Sequence, residues 1–208
     1  MSIADIALDF LGRGGKKLRP RLCKAVFDRC GGVGDIAPVC EAVECFHKAS
    51  LIHDDIQDGD ETRYGRPTVW KEHGVAVAIA AGDWLVAHGY QLIAGSGFAG
   101  VPAMLAATID SHVRLCEGQG DDLLGGGDYV STCERKTGEA FALAAQLGAL
   151  AAGADDAPFR RYALAYGVLF QINDDIADVG ESDELCALKA EWEGRLAAIS
   201  RETGFSFT

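Results

Sequence analysis

The sequence predicts an all-α, antiparallel helical bundle, and three observations point there. Apolar residues recur at three- and four-residue spacing along stretches rich in Ala, Leu and Glu. Alternating Val/Ile/Thr runs joined by tight Asn-Gly or Asp-Gly turns are missing. Glycine groups and prolines punctuate the chain where helices would end and begin. No composition shift or internal repeat divides the 208 residues, which suffice for one fully cored domain, so 1–208 reads as a single domain.

Element by element, a first helix is expected over 21–30, stopped by Gly31-Gly32. Pro38 suits the first turn of a long helix over 38–56. A helix over 75–94 ends at Gly95-Ser96-Gly97, and one over 102–124 runs from Pro102 to the Gly125-Gly126-Gly127 stop. Helices over 135–152 and 158–179 follow, separated by Gly153 and opened by Pro158. Short connections predict antiparallel neighbours. Trp70, Trp84 and Trp192 read as packing between helices, and the Ala-rich stretches 75–81 and 140–152 as close helix contacts suited to a dimer interface.

Lys and Arg number 19 against 31 Asp and Glu, a net charge of −12. Such a surface repels nucleic acid and anionic membrane, so neither is expected as a partner. An anionic ligand would need a local reversal of that field. The seven cysteines are odd in number and contain no C-x-x-C pair, which suggests neither a disulfide framework nor a zinc site and fits a reducing cytoplasm. The N-terminal residues lack a basic start followed by an apolar core, and the longest apolar run, 75–81, is far too short to span a bilayer. No signal peptide or integral membrane segment is expected.

Two acidic clusters stand out. Asp54-Asp55-Ile56-Gln57-Asp58 ends the helix begun near Pro38, and Asp174-Asp175-Ile176-Ala177-Asp178 ends the helix begun at Pro158. In each, the first and last aspartates are four residues apart and share a helical face. Extended backward, the stripes read His47, Leu51, Asp54, Asp58 and Gly167, Gln171, Asp174, Asp178. Like charges at that spacing destabilise a helix, so the repeated arrangement invites a cation. Carboxylate oxygens without His or Cys partners suit Mg²⁺, which keeps waters and bridges to phosphate. A solvated acidic helix end is the plain alternative for one cluster; two copies, each after a long apolar helix, favour the metal.

Basic segments supply the complement. Gly14-Gly15-Lys16-Lys17-Leu18-Arg19-Pro20 sets three cations beside flexible glycines. It is not a Walker loop, because Phe10 stands where the first Gly is needed. Arg63-Tyr64-Gly65-Arg66-Pro67-Thr68 follows the first acidic cluster. Arg forks and Lys point charges beside metal sites suit a diphosphate.

These residues carry a resemblance to the trans-isoprenyl diphosphate synthases, the polyprenyl synthetase family that includes farnesyl and geranylgeranyl diphosphate synthases. It runs from Gly14–Pro20 through Leu51-Ile52-His53-Asp54-Asp55, Gly82-Asp83, Gly118-Gln119-Gly120-Asp121-Asp122 and Lys136-Thr137-Gly138 to Phe170-Gln171-Ile172-Asn173-Asp174-Asp175. The resemblance implies an isoprenoid-synthase bundle with a central active-site cavity, a homodimer, and condensation of an allylic diphosphate with isopentenyl diphosphate. It implies Asp54, Asp58 and Asp174 as direct ligands of a three-Mg²⁺ cluster, with Asp55, Asp122, Asp175 and Asp178 in support. Arg63 and Lys136 would hold the allylic diphosphate, and Lys16, Arg19 and His47 the isopentenyl diphosphate head. Thr137, the backbone beside Lys136, and Gln171 would stabilise the allylic cation. Family members with short products often carry aromatics one turn before the first cluster; here Ala49 and Ser50 are small, with Phe46 a turn deeper, so geranylgeranyl is the expected product.

Two departures stand against the pattern. Tyr64 occupies the place of a second arginine that often binds isopentenyl diphosphate, and tyrosine donates one hydrogen bond but no charge. The segments near 124–135 and 180–189 look shortened where the family has lid loops: either lid-loop residues are missing from the sequence there, or the chain is truly short and catalysis becomes doubtful. These departures keep open a terpene cyclase or regulatory subunit on the same fold. A metal-dependent phosphohydrolase built on His53-Asp54 is the remote alternative, since it needs further His ligands and leaves the second acidic cluster without a role.

Overall fold

The computed structural model describes residues 1–207. The chain groups into two compact units without a linker of distinct composition: Met1–Arg21 with Asp35–Gly97, and Leu22–Gly34 with Phe98 onward. The division falls inside helix α2 (Leu18–Arg29).

In the first unit, α1 (Ile3–Gly12) begins with a reciprocal capping box: the Asp5 amide donates to Ser2 Oγ at 3.2 Å and the Ser2 amide to Asp5 Oδ2 at 2.6 Å. Helix α3 (Ala37–Asp58) has Pro38 in its first turn and ends at Gly59, whose φ of 72° supplies the left-handed residue that closes a helix. A two-residue-strand hairpin follows, β1 (Thr62–Arg63) with β2 (Arg66–Pro67), then α4 (Val69–His73) and α5 (Val75–Ala94). The core is the facing stripe of these helices: Ile6, Ala7 and Phe10 from α1, Cys45, Ala49 and Ile52 from α3, Val69, and Ala78, Ala81 and Leu85 from α5.

The second unit holds α6 (Val101–Leu124), α7 (Tyr129–Cys133), a π-helical turn (Glu134–Gly138), α8 (Glu139–Ala151), α9 (Ala157–Val179) and α10 (Asp183–Thr203). Helix α8 is buried on nearly every face, so its alanines serve close packing within the unit rather than an outward interface. Trp192 of α10 packs with Cys133, Ala165, Val168 and Ile172. Glu139 is the buried charge here: Arg160 holds it by a two-pronged contact at 2.7 and 3.0 Å, and Ser111 donates to it at 2.5 Å.

The expected long helices are present with ends moved by three residues at most, except that residues 135–138 of the expected 135–152 helix lie in the π turn Glu134–Gly138. The hairpin, the short helices α4 and α7, and the longer helices α1 and α10 lie outside the expected elements. The two longer ones, α1 and α10, have a sequence cue: an N-cap serine (Ser2, Ser182) followed by apolar residues at helical spacing. The segment around 124–135 turns through Gly125 (φ 67°), and Asp128 then caps α7 by accepting from the Ser131 amide at 3.0 Å. Around 180–189, Gly180 (φ 93°) leaves α9 and Ser182 caps α10. All seven cysteines are free thiols; burial pushes Cys45 up to about 12 and Cys133 up to about 11, which keeps both protonated. Among the described residues no helix is long and apolar enough to cross a membrane.

Candidate active site

The acidic end of α3 divides its aspartates by helical geometry. Asp54 and Asp58 share one face, whereas Asp55, one residue round, is fully buried. Its Oδ1 accepts from Arg63 Nε at 2.5 Å, and its Oδ2 has no protein partner. Burial pushes the Asp55 carboxyl above the usual range, while Arg63 opposes that rise. The hairpin delivers the arginine: Tyr64 and Gly65, with φ of 54° and 72°, form the two-residue turn, and Arg63 pairs with Arg66 across the strands. Thr68 Oγ1 and Trp70 Nε1 both donate to the Asp60 carbonyl, at 2.9 and 2.8 Å, and fix the chain between helix and hairpin.

The basic loop lies in the same unit. Lys16 and Lys17 are exposed, and Gly15 (φ 104°) and Lys17 (φ 48°) adopt left-handed backbone. Arg19 Nη1 lies 3.4 Å from His47 Nε2. Burial, aided by Arg19, Lys48 and Arg63, holds the His47 pKa well below its ordinary value, so a neutral ring can accept from Arg19 through Nε2. Phe46 meets Tyr90 edge-on with centroids 5.5 Å apart; Ala49 is buried in the core, and exposed Ser50 donates to the His47 carbonyl. His53 packs on Gly82, where any Cβ would come within 2.3 Å of its Nε2.

Sequence reading missed Lys48. It is fully buried and donates to the carbonyls of Arg13 at 2.6 Å and Gly14 at 2.9 Å, with its ammonium 4.2 Å from the centroid of the Tyr64 ring. An isolated lysine one residue past the polar stripe gives no signal by periodicity. Only the neighbouring Tyr64, an aromatic where an arginine was expected, hints at a cation needing a ring face.

In the second unit, the π turn and α9 build a polar row. Gly167 approaches so closely that a Cβ there would lie 2.8 Å from the Gly138 Cα, which sets Thr137 beside Gln171. Thr137 Oγ1 donates to Gln171 Oε1 at 2.7 Å, and Gln171 Nε2 donates to Asp175 Oδ1 at 2.8 Å. The Tyr129 hydroxyl donates to Asp175 Oδ2 at 2.5 Å. Burial and this carboxylate push the Tyr129 pKa up, so the hydroxyl keeps its proton. Asp174 and Asp178 are exposed on α9, and Lys136 Nζ pairs with Asp122 at 2.6 Å.

Among the described residues no three His, Cys, Asp or Glu side chains form a ready-made metal cage. The donors at each acidic helix end are nonetheless carboxylate oxygens only, and one of them, Asp55 Oδ2, is buried without a protein partner. That chemistry fits a hard divalent ion, which keeps waters and takes further oxygens from a phosphate. Arg63 stands beside Asp55 in the first unit, and in the second Lys136 stands beside Asp122 of α6.

Comparison with known proteins gives the family and the fold. Residues 2–187 match the family model described as Polyprenyl synthetase. Geranylgeranyl diphosphate synthase of Mycobacterium tuberculosis is 39% identical over 180 residues, covering 81% of this chain and 51% of that protein. The crystal structure of an isoprenoid synthase family member from Thermotoga neapolitana superposes with a TM-score of 0.86 at 26% identity, over 96% of this chain and 86% of that one. A polyprenyl synthase from Caulobacter crescentus, solved with calcium and isoprenyl diphosphate, gives 0.79 at 30% identity, over 87% of this chain and 58% of that one. The chain spans 51–64% of the length of the first curated relatives it matches. With its helical fold of the isoprenoid-synthase type, this chain belongs to the polyprenyl synthetase family.

Proposed function

We propose that residues 1–208 act as one catalytic domain, a prenyltransferase that joins an allylic diphosphate to isopentenyl diphosphate and releases a longer trans-prenyl diphosphate. Geranylgeranyl diphosphate is the proposed product. The observation that carries this reading is that the first D-D-x-x-D end has a cation at hand, Arg63 on Asp55, while the unit that holds the second has Lys136 on Asp122 of α6. Carboxylates alone would bind a metal; carboxylates with a fork and a point charge suit a metal-bound diphosphate. Magnesium is the proposed ion, held by Asp54, Asp58 and Asp174 with Asp55, Asp122, Asp175 and Asp178 in support, and it would supply the positive charge that a leaving diphosphate requires.

The chain's own residues account for the remaining work. Arg63 and Lys136 bind the allylic diphosphate, and Lys136 must exchange Asp122 for it. Lys16, Arg19 and His47 bind the isopentenyl diphosphate, with the neutral His47 ring orienting Arg19. Thr137 and Gln171 turn oxygen dipoles toward the allylic cation, and their hydrogen bond fixes those dipoles before reaction. The alkene attacks the cation, and the released diphosphate is the base for the departing proton. Ala49 and Ser50 leave space for the growing tail, and Phe46 sets its stop. A cytoplasmic homodimer is the proposed working form, supported by family membership and the free thiols.

The test is incubation with Mg²⁺ and farnesyl diphosphate, with and without isopentenyl diphosphate, followed by product analysis. Elongated diphosphate is expected only with both substrates. Asp54→Asn and Asp174→Asn should each lower the rate by about a thousandfold or more. A hydrocarbon or alcohol made from the allylic substrate alone would instead establish a cyclase, and undiminished rates in both variants would remove the metal role.

A further inference from the structure

The loop at Gly14–Lys17 is held from beneath by a buried cation. Two of the three Lys48 donors go to the carbonyls of Arg13 and Gly14, and its third side faces the Tyr64 ring. In a trans peptide the carbonyl and the following N–H point in opposite directions. Drawing those two carbonyls onto Lys48 therefore turns the amides of Gly14 and Gly15 away from it. Among the described residues the amides of Gly14, Gly15, Lys16 and Lys17 donate to no protein acceptor. Tyr64 closes the arrangement: a Cβ at Gly14 would lie 2.9 Å from its ring. Arg13 ties the loop to the hairpin by donating to the Pro67 carbonyl at 2.9 Å.

We propose that Lys48 and Tyr64 are paired positioning residues that preset the Gly14–Lys17 loop, with its free amides and two lysines, for the diphosphate of the homoallylic substrate. The proposal rests on the prenyltransferase reading for the identity of that diphosphate. It explains how a tyrosine can stand where a second arginine was expected: the ring exchanges a direct charge contact for a face that stabilises the loop-holding ammonium. A preset loop loses less freedom on binding, so the gain falls on affinity for one substrate and not on the chemical step.

Two measurements on the purified protein separate this from the reading it rests on. Calorimetric titration of inorganic pyrophosphate in EDTA reads binding without metal, where the Lys48 and Tyr64 variants isolate the loop's share, and steady-state kinetics read each substrate's KM. Lys48→Met should weaken pyrophosphate binding and raise the isopentenyl diphosphate KM about tenfold, leaving kcat and the allylic KM within about threefold. Tyr64→Phe should restore the affinity that Tyr64→Ala loses, because the ring face makes the contact. Should Lys48→Met fail to fold, the Tyr64 pair decides. Wild-type affinity in Lys48→Met and Tyr64→Ala, an equal rise in both KM values, or no pyrophosphate binding by the wild type would overturn the proposal. Lys48-dependent binding without elongated product would sink the transferase reading and leave the loop's role standing.

Discussion

At the end of α3 the second aspartate of the D-D-x-x-D pattern is neutralised by a cation, whereas its counterpart at the end of α9 is held by neutral donors. Asp55 is buried and takes the Arg63 guanidinium; Asp175 is half-buried and takes the Tyr129 hydroxyl and the Gln171 amide. Burial decides the difference. A carboxylate removed from water needs opposite charge, while one that still meets solvent can be held by ordinary hydrogen bonds. In both units the second aspartate is thus an anchor, and the first and last are the ones that share the outer helical face. One end is rigid through charge, and the other through a polar row that reaches Thr137.

The largest effect follows from that contrast. Asp55→Ala leaves Arg63 with only the longer, exposed contact to Asp60 at 3.5 Å and should cost about 3 kcal/mol, at the low end for breaking a buried pair because Arg63 can partly rehydrate. Asp175→Ala removes two hydrogen bonds from partners that can reach water and should cost about 1 kcal/mol. Urea unfolding at neutral pH, compared at a common m-value, measures both. A loss for Asp175→Ala as large as for Asp55→Ala would break the distinction.

Buried charge also sets a pH dependence in the second unit. Burial alone would push the Glu139 carboxyl up, but hydrogen bonds from Arg160 and Ser111, with Arg114 nearby, outweigh it and hold it below its ordinary value. A carboxylate depressed in the folded state contributes stability above its unfolded pKa and loses it as pH falls through the folded value. Glu139→Gln should therefore cost about 2 kcal/mol at pH 7, and the gap to the wild type should narrow once the pH falls below about 4. A gap that is constant or widens on acidification would show that shape, not charge, holds Glu139 in place.

The unequal ends also explain what was legible in the sequence. The long helices were readable because proline starts, glycine stops and apolar spacing agree, as along Ala37–Asp58. The acidic stripes were readable because the period of a helix alone sets Asp54 beside Asp58. What periodicity could not reveal is which aspartate turns inward, since Asp55 owes its partner to a hairpin that forms only when Tyr64 and Gly65 accept positive φ. Lys48 was hidden for a related reason: its partners are backbone carbonyls more than thirty residues away, which no side-chain pattern encodes. The π turn was read as ordinary helix because Glu134–Gly138 has the composition of one; the close Gly138–Gly167 contact that accompanies it is tertiary.

The smallest effect tests the hairpin on which the charged anchor depends. Gly65 has φ of 72° and open space where a Cβ would go, so a substitution there meets backbone strain and no clash. Gly65→Ala should cost about 1 kcal/mol, because alanine resists the left-handed region. Gly65→Asn, whose side chain tolerates that region, should cost less than about half as much. If the turn exists to aim Arg63, the alanine variant should also raise the allylic diphosphate KM by about two- to threefold while the asparagine variant does not. Equal losses for alanine and asparagine would place the sensitivity in the missing flexibility of glycine, and the turn's handedness would then have no part in holding Arg63 on Asp55.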